Sequence, residues 1–161
     1  MEVNDYRINR NTMAIIPLYG STFNCKILEP NKEIYCTKTI EQLMEEACID
    51  GGATYIGRRQ AMEKLLRTKS KLPIPVNPSN GVFFFPNRSP KERNCCWLSF
   101  FHIKDFVKHK QDVTHTELIL HDDTILVLDT SYSSVRRQMN LTGLAIAMLY
   151  RDILWHYNET S

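Results

Sequence analysis

Leu72-Pro73-Ile74-Pro75-Val76-Asn77-Pro78-Ser79-Asn80-Gly81-Val82-Phe83-Phe84-Phe85-Pro86 is the stretch on which the fold turns. Three prolines within residues 72–78 exclude a helix, because proline lacks a backbone N–H and drives the residue before it into an extended conformation. Ser79-Asn80-Gly81 reads as a tight turn into Val82–Phe85, a strand that Pro86 ends. Three consecutive phenylalanines also suit base stacking on an RNA-binding sheet. The basic-Gly-aromatic pattern of those sheets is missing, and a buried core strand is the simpler reading.

Upstream, Met13-Ala14-Ile15-Ile16 is a short apolar run without polar alternation that ends at Pro17. Phe23–Leu28 and Glu33–Thr37 follow as strands around the turn Glu29-Pro30-Asn31-Lys32. Thr39 and Gln42 have capping-box spacing ahead of a helix whose Ile40, Leu43, Met44, Ala47 and Cys48 share one face, with Gly51-Gly52 as its stop. A second helix is expected over Ala53–Arg67, with Met62, Leu65 and Leu66 on its inner face.

Downstream of a polar, basic loop at Asn87–Asn94, Cys96–Ile103 reads as one strand. Val113–His121 and Thr124–Leu128 read as a hairpin about His121-Asp122-Asp123. A long C-terminal helix from Ser134 to about Tyr157 is apolar on most sides, which implies burial against the sheet or in a dimer interface. The class is α+β: a small, mostly antiparallel sheet, two helices near the middle and the long last helix, in a single domain over residues 1–161.

Composition narrows the function. Hydrophobic residues make up 43% of the chain and charged residues 24%, as in an ordinary globular protein. No apolar stretch is long enough to cross a membrane, and MEVNDYRINR lacks the pattern of a signal peptide. Five cysteines at irregular spacing (Cys25, Cys36, Cys48, Cys95, Cys96) fit reduced thiols in a cytoplasm. Catalytic constellations fail on inspection. His102 and Lys104 start a phosphodiesterase-like H-x-K, but His109 stands where its aspartate belongs, and there is neither a phosphate-binding G-x-x-x-x-G-K-[ST] loop nor a G-x-S-x-G elbow. Cys95-Cys96 with His102 lacks zinc-ligand spacing, and Asp122-Asp123 reads as a turn former. No enzyme, metal or cofactor is expected.

Charge is distributed unevenly. Residues 51–110 hold 12 Lys/Arg against 3 Asp/Glu, whereas the rest of the chain holds 8 against 15. Arg58, Arg59, Lys64, Arg67, Lys69 and Lys71 fall within 14 residues, and Arg88, Lys91 and Arg93 add a second basic loop beyond the phenylalanine strand. If that strand folds back near the helix, the two sets make one cationic surface able to neutralise phosphates. A solvated helix face and a solvated loop are the plain alternative. No helix-turn-helix or zinc-finger signature is present.

Several ordered blocks resemble the competence transcription factor ComK family. They are Ala53-Thr54-Tyr55-Ile56-Gly57-Arg58-Arg59, the stretch Leu72–Pro86, Cys96-Trp97-Leu98-Ser99 with His102-Ile103-Lys104-Asp105-Phe106, and Ser131-Tyr132-Ser133-Ser134, together with Tyr6–Pro17. The blocks are collinear over about residues 5–138. The resemblance implies a cytoplasmic, nucleoid-associated activator of DNA-uptake genes. It implies binding to paired AT-rich boxes of double-stranded DNA, chiefly through the minor groove, as a homodimer or dimer of dimers. It also implies a C-terminal tail read by an adaptor of a Clp protease. Here the sequence departs from the family: Ala147–Asp152 matches part of that tail's Phe-Met-Leu-Tyr-Pro element inside a helical pattern, and the sequence stops at Ser161. The alternative expectation is therefore a truncated relative that dimerises without activating transcription.

Overall fold

The computed structural model describes the backbone of residues 1–160 and the side chains of residues 1–151. In chain order the elements are β1 (Glu2–Val3), β2 (Ala14–Pro17), β3 (Cys25–Glu29), β4 (Lys32–Cys36), α1 (Ile40–Asp50), α2 (Tyr55–Leu66), β5 (Ile74–Asn77), β6 (Val82–Pro86), β7 (Trp97–Ser99), β8 (Ile103–Lys108), β9 (Thr116–Leu120), β10 (Ile125–Leu128) and α3 (Tyr132–Thr160). Single 3-10 turns cover Pro78–Asn80 and Phe100–His102. The class is α+β, as expected.

The strands form two sheets rather than one small one. A seven-stranded sheet runs in the order β1-β4-β3-β2-β7-β6-β5, and a three-stranded sheet in the order β10-β9-β8. Every pairing is antiparallel except β1 with β4. β5 lies at the edge of the larger sheet, where Pro73 and Pro75 cost little because no further strand needs their missing N–H groups.

The apolar runs are explained by layering. Along β2, β6 and β7, alternate side chains enter different cores. Ile15, Phe84 and Trp97 join Leu43, Met44, Ala47 and Cys48 of α1 on one face of the sheet. Ala14, Phe85 and Leu98 join Leu118, Leu120, Leu128 and Val135 of the small sheet and α3 on the other. Strands covered on both faces have no solvent side to carry polar residues. Phe83, on the α3 side, meets Phe101 and Tyr150 edge-on at ring-centroid distances of 6.2 and 6.0 Å.

The strand expected over Cys96–Ile103 is corrected. It breaks at the 3-10 turn, so that β7 stays in the large sheet while β8 pairs with β9 in the small one. Continuous apolar character carried no sign of the change of sheet, and β8 itself was not expected. The Val113–His121 strand likewise shortens to Thr116–Leu120, its first residues forming a turn in which Asp112 accepts from the Thr114 N–H at 2.9 Å.

Local signals held better. Thr39 accepts from the Gln42 N–H at 3.2 Å while the Gln42 side chain accepts from the Thr39 N–H at 2.9 Å, which closes the expected capping box. The second helix starts two residues later than read, because Thr54 caps it by accepting from the Gly57 N–H at 3.0 Å. At Gly51 a Cβ would sit 2.5 Å from the Val76 carbonyl oxygen, so only glycine lets the end of α1 press against β5. Gly81, at φ 72°, supplies the left-handed residue leading into β6. Asp122 is a turn former, accepting from the Thr124 and Asn31 N–H groups.

α3 begins at Tyr132, two residues earlier than expected. It packs on its own chain through Val135, Gln138, Thr142 and Ala145, all buried. Its fully buried Gln138 amide donates to the Lys71 carbonyl at 2.7 Å and the Pro86 carbonyl at 3.0 Å, clamping the loop before β5 to the end of β6. The expected apolar stripe Ile146, Leu149 and Ile153 is only partly described: Ile146 is half-buried, Leu149 is exposed, and the Ile153 side chain lies outside the described residues.

Replacing Gln138 by leucine leaves the buried Pro86 carbonyl without its donor. Urea unfolding should show a loss of about 1–3 kcal/mol.

Candidate nucleic-acid interface

The two basic segments do come together. α2 and the loop that follows it sit beside β5, while the loop after β6 turns back toward them. Arg59, Lys69, Lys71 and Lys91 all line one groove of about 780 Å³. Its floor is apolar, built from Ile40, Met44, Tyr55, Leu72, Ile74 and Trp97, and Glu41 and Glu45 stand on the α1 side. Glu45 is partly engaged, accepting from the Tyr55 N–H at 3.2 Å. Arg93 belongs to a neighbouring concavity that shares Lys91, Glu41 and Trp97 with the groove. Its guanidinium lies 4.4 Å from the centre of the Tyr19 ring, an aromatic partner that no sequence pattern announced.

The nine basic residues singled out by sequence differ in how far the chain engages them. Arg58 and Arg88 are tied into the chain. Arg58 Nη2 donates to the Gly51 carbonyl at 2.7 Å, and its buried Nε lacks an acceptor among the described residues. Arg88 bridges Asp129 at 2.8 Å and Glu92 at 3.7 Å and also donates to the Asp129 carbonyl, fastening the loop after β6 to the end of β10. Arg59 is paired with Glu63 at 3.0 Å one helical turn away, a partly exposed pair of the kind that contributes little to stability. Lys64, Arg67, Lys69, Lys71 and Lys91 make no side-chain ion pair among the described residues. Arg67 and Lys71 are both left-handed, at φ 55° and 50°, and bracket the short loop that carries Lys69 along the groove's rim.

The family is decided by comparison with known proteins. Residues 3–153 match the family model described as ComK protein. The chain belongs to the ComK family. It is 30% identical over 142 residues to the "Competence transcription factor" of Bacillus subtilis (strain 168), a match covering 88% of this chain and 73% of that relative. No solved structure matches.

The remaining reactive groups of this ComK-family chain are packed away. All five cysteines are free thiols, and four are buried. Burial pushes Cys25, Cys48 and Cys95 up to about 12, with neighbouring Cys36 adding to the effect at Cys25 and the Arg58 guanidinium opposing it at Cys48. Burial also pushes Cys96 up to about 11. Among the described residues, no group of three or more His, Cys, Asp and Glu is placed to hold a metal ion. No described helix is long and apolar enough to cross a membrane.

Two outcomes follow from these positions. Arg88→Ala should lower stability by about 1–2 kcal/mol by unfastening a loop held through charged hydrogen bonds, whereas Lys91→Ala should leave the melting temperature unchanged. The thiols titrate in a direction that destabilises the fold in alkali. Unfolded thiols ionise near 9, while Cys25, Cys48 and Cys95 hold their protons in the fold to about 12. Stability from these groups is therefore complete below about pH 9 and declines towards pH 12, a window that alkaline denaturant titration resolves.

Proposed function

We propose that this protein is a non-enzymatic, DNA-binding transcription regulator of competence genes that grips AT-rich duplex through the rim of the basic groove and acts as an activator. The observation that carries the reading is the convergence of Lys69 and Lys71 with Lys91 on one groove in a ComK-family chain. Unpaired lysines on a concave surface contribute affinity by releasing counterions from the phosphate backbone. In the absence of a major-groove motif, sequence preference rests on groove width and deformability. Narrow A-tract minor grooves concentrate negative potential and attract arginine, a role that suits Arg59 and Arg67.

Arg93 completes the contact surface from the Tyr19 side. Arg58 and Arg88 support it by fixing the backbone that presents the others. Association into a homodimer or dimer of dimers is part of the proposal, favoured by the exposed Leu149 on α3. A cytoplasmic, nucleoid-associated location is the corresponding expectation of family membership, whereas the departure from the family's tail element at residues 147–152 leaves recognition by a Clp-protease adaptor outside the proposal.

A mobility-shift titration on AT-rich and GC-only duplexes at matched salt tests the reading. AT-rich duplex should bind more tightly, and log affinity should fall linearly with log salt. Lys64→Ala, Lys69→Ala and Lys91→Ala should each weaken all duplexes alike and flatten that slope by about one unit, without a change in melting temperature. Arg59→Ala should also reduce the AT preference. Equal affinity for the GC-only duplex would count against the proposal. Tight AT-selective binding without activation of a reporter would leave DNA binding in place and remove the activator role.

A further inference from the structure

α3 has a second face that the core does not use. Val135, Gln138, Thr142 and Ala145 point into the protein, whereas Ser133, Arg136, Arg137, Asn140, Leu141 and Leu144 recur three and four residues apart along another side of the helix. That side forms one wall of a groove of about 830 Å³, with Lys108 of β8 across from it. The groove is lined by three cations and no acid. Between Tyr132 and Tyr150 the helix carries no acidic residue at all. In this respect it is a purer cationic surface than the groove beside α2, where Glu41 and Glu45 intervene.

The two grooves are joined. A smaller, hydroxyl-rich concavity of about 500 Å³ shares Ser70, Lys71 and Ser89 with the first groove and Val113 and Ser131 with the second. Arg137 reinforces the join by donating to the Ser70 carbonyl at 3.4 Å and to the Gln138 side-chain oxygen at 2.6 Å. The acids along the saddle are already engaged, Asp129 and Glu92 both with Arg88. Lys108 rests 5.6 Å from the centre of the Tyr132 ring, which holds its ammonium over the groove's edge, and Arg136 is exposed without an ion pair among the described residues.

We infer that Lys108 and Arg136 form a second phosphate-binding pole for the same DNA duplex, reached from the first groove across the hydroxyl-lined saddle. This rests on the DNA-binding reading above and adds to it a second, separated grip on the backbone. Two cationic ends with a hydrogen-bonding middle of balanced charge, Lys71 and Arg88 against Glu92 and Asp129, suit a continuous polyanion that passes over both. A short anionic ligand would satisfy only one of them. Arg137, committed to Ser70 and Gln138, aligns the poles.

The test uses the full chain and an AT-rich duplex of about 30 base pairs, roughly three turns of B-form DNA. Lys108→Ala/Arg136→Ala should flatten the log-affinity against log-salt slope by about two units, while Arg136→Lys keeps the parent slope because a phosphate accepts either cation. Adding Lys69→Ala and Lys91→Ala to the double variant should flatten the slope by about two further units, since the two grooves hold different phosphates. Melting temperatures and sedimentation of the free variants should match the parent. If the parent binds DNA and the double variant keeps the parent's slope, the second pole does not exist although the DNA-binding reading survives. A quadruple variant no flatter than the double variant overturns the separation of the poles. Unchanged DNA binding with altered sedimentation overturns the inference in favour of a contact between copies of the chain along Val113 and Leu144. A parent that does not bind the duplex defeats the underlying reading itself.

Discussion

The structure depends on burying β6 from both sides. Val82 and Phe84 face the helices α1 and α2, and Phe85 faces the small sheet and α3, with Phe83 closed over by Phe101 and Tyr150. Each buried phenylalanine contributes about 1.5–3 kcal/mol from the area it removes from water, but the geometry matters more than the sum. A strand with apolar groups on both faces requires a layer on each side. The helical layer must then lie near β5 and β6, where Gly51 permits close approach, and α3 must cross the opposite face. The basic loops are carried to the groove's rim as a consequence of that layering.

Polar side chains fix how the layers meet. Gln138 satisfies two carbonyls at the point where α3, the loop before β5 and the end of β6 converge, and Arg88 fastens the next loop to β10. Arg58 does similar work at the junction of α1 and α2. These three residues explain why the surface is not uniformly available. Arg88, held by two carboxylates and a carbonyl, has surrendered much of its field, whereas Lys69 and Lys91, without such partners, offer theirs to solvent or to a polyanion. The same reasoning separates Arg136 from its neighbour Arg137 on α3: the rotation of about 100° between consecutive helical residues is enough to divide an anchor from an open charge.

Much of this was legible before the structure. The prolines of residues 72–78 demanded extended backbone, and the phenylalanine run demanded burial. The Thr39–Gln42 pair marked a helix start to the residue, because capping is a local exchange of hydrogen bonds between groups three positions apart. The charge segregation of residues 51–110 marked two basic segments, and Arg59, Lys69, Lys71 and Lys91 from them do line one groove. What escaped notice was the break at Phe100–His102, where an apolar run that looks like one strand passes from one sheet to another. Apolar character reports burial, and it is the same on either side of a change of partner.

The amino-acid sequence by itself determined the class of fold, the burial of the Val82–Phe85 strand, the start of the first helix, the family and the presence of two basic segments. All of these follow from backbone chemistry, from periodicity or from ordered local blocks. Only the tertiary structure decided which cations stand free and which are anchored. Arg58 and Arg59 are adjacent and chemically identical, yet one reaches a carbonyl on the preceding turn and the other a carboxylate on its own helix. Nor could spacing alone bring Lys108 to Arg136, or Lys91 to Lys69. A charge's neighbours are set by through-space distance, and that distance exists only once the layers have packed.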